Sequence, residues 1–102
     1  MLYSGKDIVR KIRRHIKSRG GPYPSWIVGV SSDARGHLFK KHGVSRKEDR
    51  WILMHAVSAQ VARKVKSYLM RKLGIAGNSA AEGEDMTADF VYAYRKSERT
   101  RP

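Results

Sequence analysis

The segment Trp26–His42, with the sequence WIVGVSSDARGHLFKKH, joins a β-type run, a turn and a basic helix. Trp26–Val30 is aromatic and β-branched, which predicts a strand. Ser31-Ser32-Asp33 is a helix-start signal, and a short helix is expected over 33–42 with Leu38 facing inward. The segment therefore predicts a strand–turn–helix unit, around which the rest of the chain has to be arranged.

Two longer helices with basic outer faces are expected on either side of this unit. Ser4–Arg19 carries isoleucines every four residues, which is the spacing of one apolar helix face. Ser58 is a helix-capping residue before a second apolar stripe that runs to Leu73 and includes Tyr68. Gly74 follows as a C-terminal cap. The isoleucines of the first stripe are Ile8, Ile12 and Ile16.

Two further strands are predicted from composition. Trp51–Val57 (WILMHAV) is a continuous apolar run, which indicates a strand buried on both faces. Phe90–Tyr94 (FVYAY) alternates aromatic residues with smaller ones, which is typical of a strand in a sheet. Residues 74–89 are small, polar and acidic and are expected to form a flexible loop.

The element order α-β-α-β-α-β in 102 residues predicts one α/β (α+β) domain. We expect a small three-stranded sheet packed with three helices, with the two long helices covering at least one face because each has one apolar stripe to bury. The predicted segments are a basic N-terminal helix over 1–20, a strand–helix–strand–helix region over 22–73, the acidic loop over 74–89, a strand over 90–95 and a basic tail over 96–102.

Charge is the strongest functional signal in the composition. Lysine and arginine number 22 against 9 acidic residues, which gives a net charge of +13 and a pI near 10.5. Such an excess attracts polyanions, so DNA or RNA is the expected partner, with an anionic membrane surface as the second possibility. The chain has no cysteine, which excludes disulfide bonds and thiolate metal sites and agrees with the cytoplasmic location that we expect. No apolar run is long enough for a membrane span or signal peptide. The apolar face of the first helix lacks tryptophan and phenylalanine and is better explained by packing on the sheet, so no membrane partner is expected.

The opening segment resembles the second half of the GIY-YIG endonuclease signature. Ile27-Val28-Gly29 stands at the Tyr-Ile-Gly strand, Ser31–Asp33 at the turn, and Leu38–His42 at the helix that follows. The similar span is Trp26–Leu73, a little under half of the chain. The Gly-Ile-Tyr strand that should come first is missing there. Phe90–Tyr94 looks like such a strand, so the resemblance implies a permuted sheet with Tyr92 beside the Tyr-Ile-Gly-like strand.

The resemblance also implies what the chemistry would need. Enzymes of this family use an arginine on the helix to stabilise phosphate charge, tyrosines to position water, and a glutamate to hold a divalent metal. Here Ile27 replaces a tyrosine, Gly36 and His37 stand at the arginine pair, and Lys66 falls at the glutamate. A lysine repels Mg²⁺. We therefore expect no metal site and no cofactor, with Mg²⁺ required only if the chain is an active nuclease.

The positive charge and the GIY-YIG resemblance together indicate the candidate site residues. If catalysis remains, Tyr92, His42 and His37 are the candidate catalytic residues. The alternative role for Tyr92, which the residues favour, is a sheet aromatic that packs against cross-strand neighbours, and His42 is either structural or phosphate-facing. His37 and His42 have no carboxylate nearby in sequence, so a zinc site is not expected. The candidate nucleic-acid contacts are Arg10, Arg14, Lys17, Arg35, Lys40, Lys41, Arg63 and Lys66.

The sequence thus predicts a basic nucleic-acid-binding domain on a GIY-YIG-like scaffold that has lost metal-dependent phosphodiester cleavage. One alternative is an active, divergent endonuclease, which metal-dependent cutting would reveal. Another is a small phage or accessory protein that occupies the nucleic-acid site of a second protein, which tight protein association would reveal. Whether the protein is an enzyme, whether it binds DNA or RNA, and its oligomeric state are not determined by the sequence.

Overall fold

A computed structural model describes residues 2–44, 50–77, 88–97 and 100. It is an α+β fold with three helical segments and a four-stranded mixed sheet, in agreement with the predicted class. In chain order the elements are α1 (Gly5–Arg19), a 3₁₀ turn (Tyr23–Ser25), β1 (Trp26–Ser31), α2 (Ala34–Gly36) continued by a π-helical turn (His37–Lys41), β2 (Trp51–His55), α3 (Ala59–Leu73), β3 (Ala76–Gly77) and β4 (Phe90–Arg95).

The sheet has the strand order β2-β4-β1-β3, so the last strand in the chain lies at its centre. β4 is antiparallel to both β1 and β2, whereas β3 is parallel to β1. The prediction of three strands was wrong because Ala76–Gly77, placed in the flexible loop, pairs with β1. Gly74 ends α3 with φ +74, and Ile75 then enters the core beside the new strand. Residues 78–87 of the predicted loop and most of the basic tail lie outside the described residues.

The two long helices begin and end where the sequence indicates. The Ser4 hydroxyl accepts a hydrogen bond from the Asp7 backbone N–H at 3.2 Å, and the Ser58 hydroxyl accepts one from Val61 at 3.1 Å. Each bond satisfies a backbone donor that the first helical turn leaves without an intrahelical partner. The predicted isoleucine stripe of α1 is buried, whereas Tyr68 of α3 is exposed, so the apolar face of α3 is narrower than its sequence suggests.

The helices divide between the two faces of the sheet. The α1 stripe and the buried residues of α3 share one core with Trp26, Val28 and Val30 of β1. The other face is covered by α2 and the π-helical turn, where Leu38 packs with Ile27 and the β4 tyrosines. Both faces of β1 are therefore buried. The expectation that the two long helices cover one face is confirmed.

β2 is less buried than its continuous apolar sequence suggests. Within Trp51–His55 only Met54 is buried, and the strand ends two residues before the predicted Val57. β2 lies at an edge of the sheet, and among the described residues a single bridge, from Tyr3 to Ala56, continues the pairing just beyond its end. An edge strand lacks a full neighbour on one side, so its side chains stay partly exposed even when they are apolar.

Candidate nucleic-acid interface

A groove of about 1640 Å³ lies between α1 and α3 on the surface away from the sheet. Apolar side chains such as Val9 and Val65 form part of its lining, and Tyr23 and Tyr68 contribute aromatic rings. No acidic side chain lines it within the described part of the chain. Its cationic lining comprises Lys6, Arg10, Arg13, Arg14 and Lys17 from α1 with Lys64 and Arg71 from α3. We refer to this surface as the basic groove.

Helical spacing explains why these side chains meet. Residues three and four apart lie on one side of a helix, so Lys6, Arg10 and Arg13 form a row beside the buried isoleucines of α1. Lys64 and Arg71 are seven residues apart and therefore share one face of α3. The two helices pack together at Gly5, where a Cβ would lie 3.5 Å from Val65, an ordinary contact distance. One cationic row on each helix thus lines the basic groove.

The charges of the basic groove are little compensated. Arg10 forms an ion pair with Asp7 on its own helix, and both side chains are largely exposed to solvent. In the described ranges no other acidic residue pairs with a cation of the groove. Several like charges on facing helices repel one another and concentrate positive potential between them. The arrangement is suited to binding an extended anion such as a phosphate backbone.

The predicted nucleic-acid contacts do not form a single surface. Arg10, Arg14 and Lys17 line the basic groove. Arg35 and Lys40 are exposed on the helical segment that covers the opposite face of the sheet. Lys41 and His37 belong to the same segment, but their side chains lie outside the described structure.

On α3, Arg63 and Lys66 are partly buried and point away from the basic groove. A Cβ built on Gly77 of β3 would meet the Lys66 side chain at 3.7 Å, which places this lysine beside the short edge strand. Lys64 and Arg71 take their place in the groove and are absent from the predicted contact set. Their seven-residue spacing was visible in the sequence, but only the packed helices show which face of α3 looks toward α1.

A second cluster, of His42, Tyr92 and Tyr94, lies on the opposite side of the sheet. All three side chains are fully buried at 0 % exposure. The His42 Nε2 atom is 2.9 Å from the Tyr92 hydroxyl, and its Nδ1 atom is 3.0 Å from the Tyr94 hydroxyl. A hydroxyl can donate or accept, so both hydrogen bonds form with either tautomer of the imidazole. We call this the Tyr–His–Tyr cluster.

The backbone explains how this cluster is assembled. Tyr92 and Tyr94 are two residues apart on β4, so both point to the same face of the sheet. His42 directly follows the π-helical turn that covers this face. Tyr92 lies directly opposite Gly29 of β1, which is the strand that was expected beside it. A Cβ on Gly29 would overlap the hydroxyl end of Tyr92, so glycine leaves room for the ring. Tyr94 was missed as a site residue, although the two-residue period pairs it with Tyr92.

The chemistry open to the cluster is limited by burial. A histidine between two phenols can exchange protons with them. A substrate could reach these atoms only if the helical segment over the sheet moved aside, because all three side chains are enclosed. Among the residues that the structure describes, no three histidine, cysteine, aspartate or glutamate side chains come together in a group that could hold a metal ion.

His15 on α1 predicts a pH dependence of stability. Burial and the nearby Arg19 charge lower its pKa from the usual value of 6.5, and its ring lies edge-on to Trp26 at 5.7 Å. The unfolded chain then binds a proton at His15 more readily than the folded one, so stability at this site is present above pH 6.5 and is lost as the pH falls below it. We expect His15→Gln to flatten the fall in unfolding free energy between about pH 7 and 5, measured by urea denaturation. An unchanged slope would contradict this.

Comparisons with protein-family models, with curated proteins and with solved structures give no significant match. No helix in the described part of the chain is long and apolar enough to cross a membrane. Two features of the chain itself point to a function, namely the exposed basic groove on one side of the sheet and the buried Tyr–His–Tyr cluster on the other.

Proposed function

We propose that this protein is a nucleic-acid-binding domain whose basic groove holds the phosphate backbone of DNA or RNA. The observation that carries the proposal is the gathering of seven lysine and arginine side chains on the facing sides of α1 and α3, with no acidic side chain among the described lining residues. Neutralising a phosphate releases condensed counterions, and this supplies affinity without sequence preference. A cytoplasmic location, expected from the absence of cysteine, goes with this function.

We further propose that the scaffold is a divergent, permuted relative of the GIY-YIG endonucleases that no longer cuts nucleic acid. The pairing of Tyr92 with Gly29 supports the permuted arrangement. Ile27 and Lys66, at the positions of a tyrosine and the metal-binding glutamate, support the loss of cleavage. The burial of Tyr92 and His42 favours a structural role for both residues.

An active endonuclease is the second candidate. It is favoured by the hydrogen bond between Tyr92 and His42, since a phenol paired with an imidazole is suited to activating a nucleophile. Such an enzyme would need Mg²⁺, whereas the described residues include no group of histidine and acidic side chains that could hold a metal ion. The two candidates differ in what divalent metal does, so one set of binding reactions can separate them.

The test is a salt titration of nucleic-acid binding with matched single-charge variants. Arg14 in the basic groove and Arg35 on the opposite face are both exposed, so replacing either with glutamine removes one charge from the surface. We expect Arg14→Gln to weaken binding about fivefold near 0.1 M salt and to reduce the slope of log K against log salt by roughly 0.7–0.9. Arg35→Gln should change the affinity and the slope by no more than about a quarter of the changes caused by Arg14→Gln.

Equal losses in the two variants would contradict binding in the basic groove. Undetectable binding by the parent protein in low salt would contradict the function itself. The same reactions are repeated with Mg²⁺ or Mn²⁺, where intact nucleic acid is the expected result. Metal-dependent cutting that disappears in Tyr92→Phe but persists in Tyr94→Phe would support the endonuclease instead.

A further inference from the structure

We infer that the basic groove binds single-stranded nucleic acid, with a base stacked on the ring of Tyr68. This rests on the proposed function and narrows it to one class of ligand. Non-specific single-strand sites combine a cationic channel that follows the backbone with exposed aromatic rings on which bases stack. Both parts are present between α1 and α3, whereas a site that recognises phosphates alone would need only the charges.

Tyr68 is the residue that distinguishes a single-strand site from a site that recognises phosphates alone. It is 38 % exposed, although tyrosine is large and its helix has a buried face available close by. It lies four residues after Lys64 and three before Arg71, so a cation flanks the ring on each side along the same face of α3. A ring between two phosphate-binding cations can take a base while its neighbours hold the backbone on either side.

The other wall supplies a complementary surface. Tyr23 lies in the 3₁₀ turn between α1 and β1 and lines the same groove, partly buried. Val9 of α1 is partly exposed and adds aliphatic surface that sugars and base edges can contact. The groove therefore has apolar surface between its charges, which unpaired bases can use and stacked, paired bases cannot.

The shape of the surface also favours a single strand. Readers of duplex DNA insert a helix or a two-stranded ribbon into a major groove about 12 Å wide. This protein instead has its cations around a hollow between two helices, which can receive a strand but cannot enter a DNA groove. The 15 residues of α1 give that hollow a length of roughly 22 Å. An extended strand can lie along such a hollow with its bases turned toward Tyr68.

The experiment measures fluorescence anisotropy with three probes of equal length, namely oligothymidylate, the same strand without bases, and the duplex. We expect the complete protein to bind oligothymidylate at least about tenfold more tightly than the abasic strand, because stacking adds to the shared phosphate contacts. Tyr68→Ala should weaken oligothymidylate binding roughly 5- to 100-fold and leave abasic binding within about twofold. Tyr68→Phe keeps the ring and should bind like the parent.

Each other outcome overturns the inference in a recognisable way. If the abasic strand or the duplex binds as tightly as oligothymidylate, the basic groove recognises phosphates alone, and the proposed function stands without the single-strand preference. If Tyr68→Ala weakens all probes equally while its circular dichroism matches the parent, the ring does not stack on bases. If the parent binds none of the probes in low salt, the proposed function fails together with this inference.

Discussion

His42→Leu is expected to lower the free energy of unfolding by roughly 1–3 kcal/mol, because two buried hydroxyls each lose a hydrogen bond whose net worth is about 0.5–1.5 kcal/mol. The imidazole lies 2.9 Å from the Tyr92 hydroxyl and 3.0 Å from that of Tyr94, with all three side chains at 0 % exposure. Leucine fills similar space but offers neither hydroxyl a partner. Urea denaturation followed by circular dichroism measures the loss, which is a large part of a typical domain's stability.

Replacing the tyrosines with phenylalanine separates the loss of hydrogen bonds from the loss of packing. Tyr92→Phe alone should cost about 1 kcal/mol, the usual net value of one hydrogen bond. In the triple variant His42→Leu/Tyr92→Phe/Tyr94→Phe no hydroxyl remains to be desolvated at the cluster. We expect this variant to be more stable than His42→Leu alone. If His42→Leu is as stable as the parent, the Tyr–His–Tyr cluster does not hold the helical segment to the sheet.

Gly29→Ala is expected to destabilise the fold by about 1–3 kcal/mol, the usual cost of overfilling a packed core. Alanine normally improves a strand position over glycine by roughly 0.5–1 kcal/mol, so packing decides the sign here. The new Cβ would overlap the hydroxyl end of the Tyr92 ring and push it away from His42. The measured quantity is again the free energy of unfolding in urea.

Gly5→Ala is the matched control for Gly29→Ala. Its Cβ would meet Val65 and Val61 at 3.5 Å and 3.6 Å, which is ordinary contact, and alanine favours the helix. This variant should therefore be equal to or slightly more stable than the parent. The destabilisation by Gly29→Ala should shrink in a Tyr92→Leu background, since the ring atoms and hydroxyl that the new Cβ would meet are then gone. Equal losses in both backgrounds would show that the strain lies elsewhere.

The basic groove and the Tyr–His–Tyr cluster lie on opposite sides of the sheet, so separate substitutions can test them. The basic groove belongs to the face covered by α1 and α3, whereas the Tyr–His–Tyr cluster lies under α2 and the π-helical turn. Substitutions in the cluster should therefore change stability without altering the charges that bind phosphate. An effect of Tyr92→Phe on binding in a fully folded sample would link the two faces and favour the endonuclease candidate.

The sequence by itself determined the two long helices and the charge. Ser4 and Ser58 mark the starts of α1 and α3, and the isoleucine spacing identifies the buried face of α1. These signals are readable because capping and helical periodicity depend on residues a few positions apart. The positive charge, and with it the expectation of a polyanionic partner, is a sum over the chain and needs no structure.

Only the tertiary structure decided which of these parts meet. It brought β4 between β1 and β2, paired Ala76–Gly77 with β1, and joined His42 to tyrosines about 50 positions away in the chain. It also set the cations of α1 against Lys64 and Arg71 while leaving Arg35 on the other face. Strand order and helix placement follow from burying all apolar stripes at once, so they depend on long-range packing that no local pattern records.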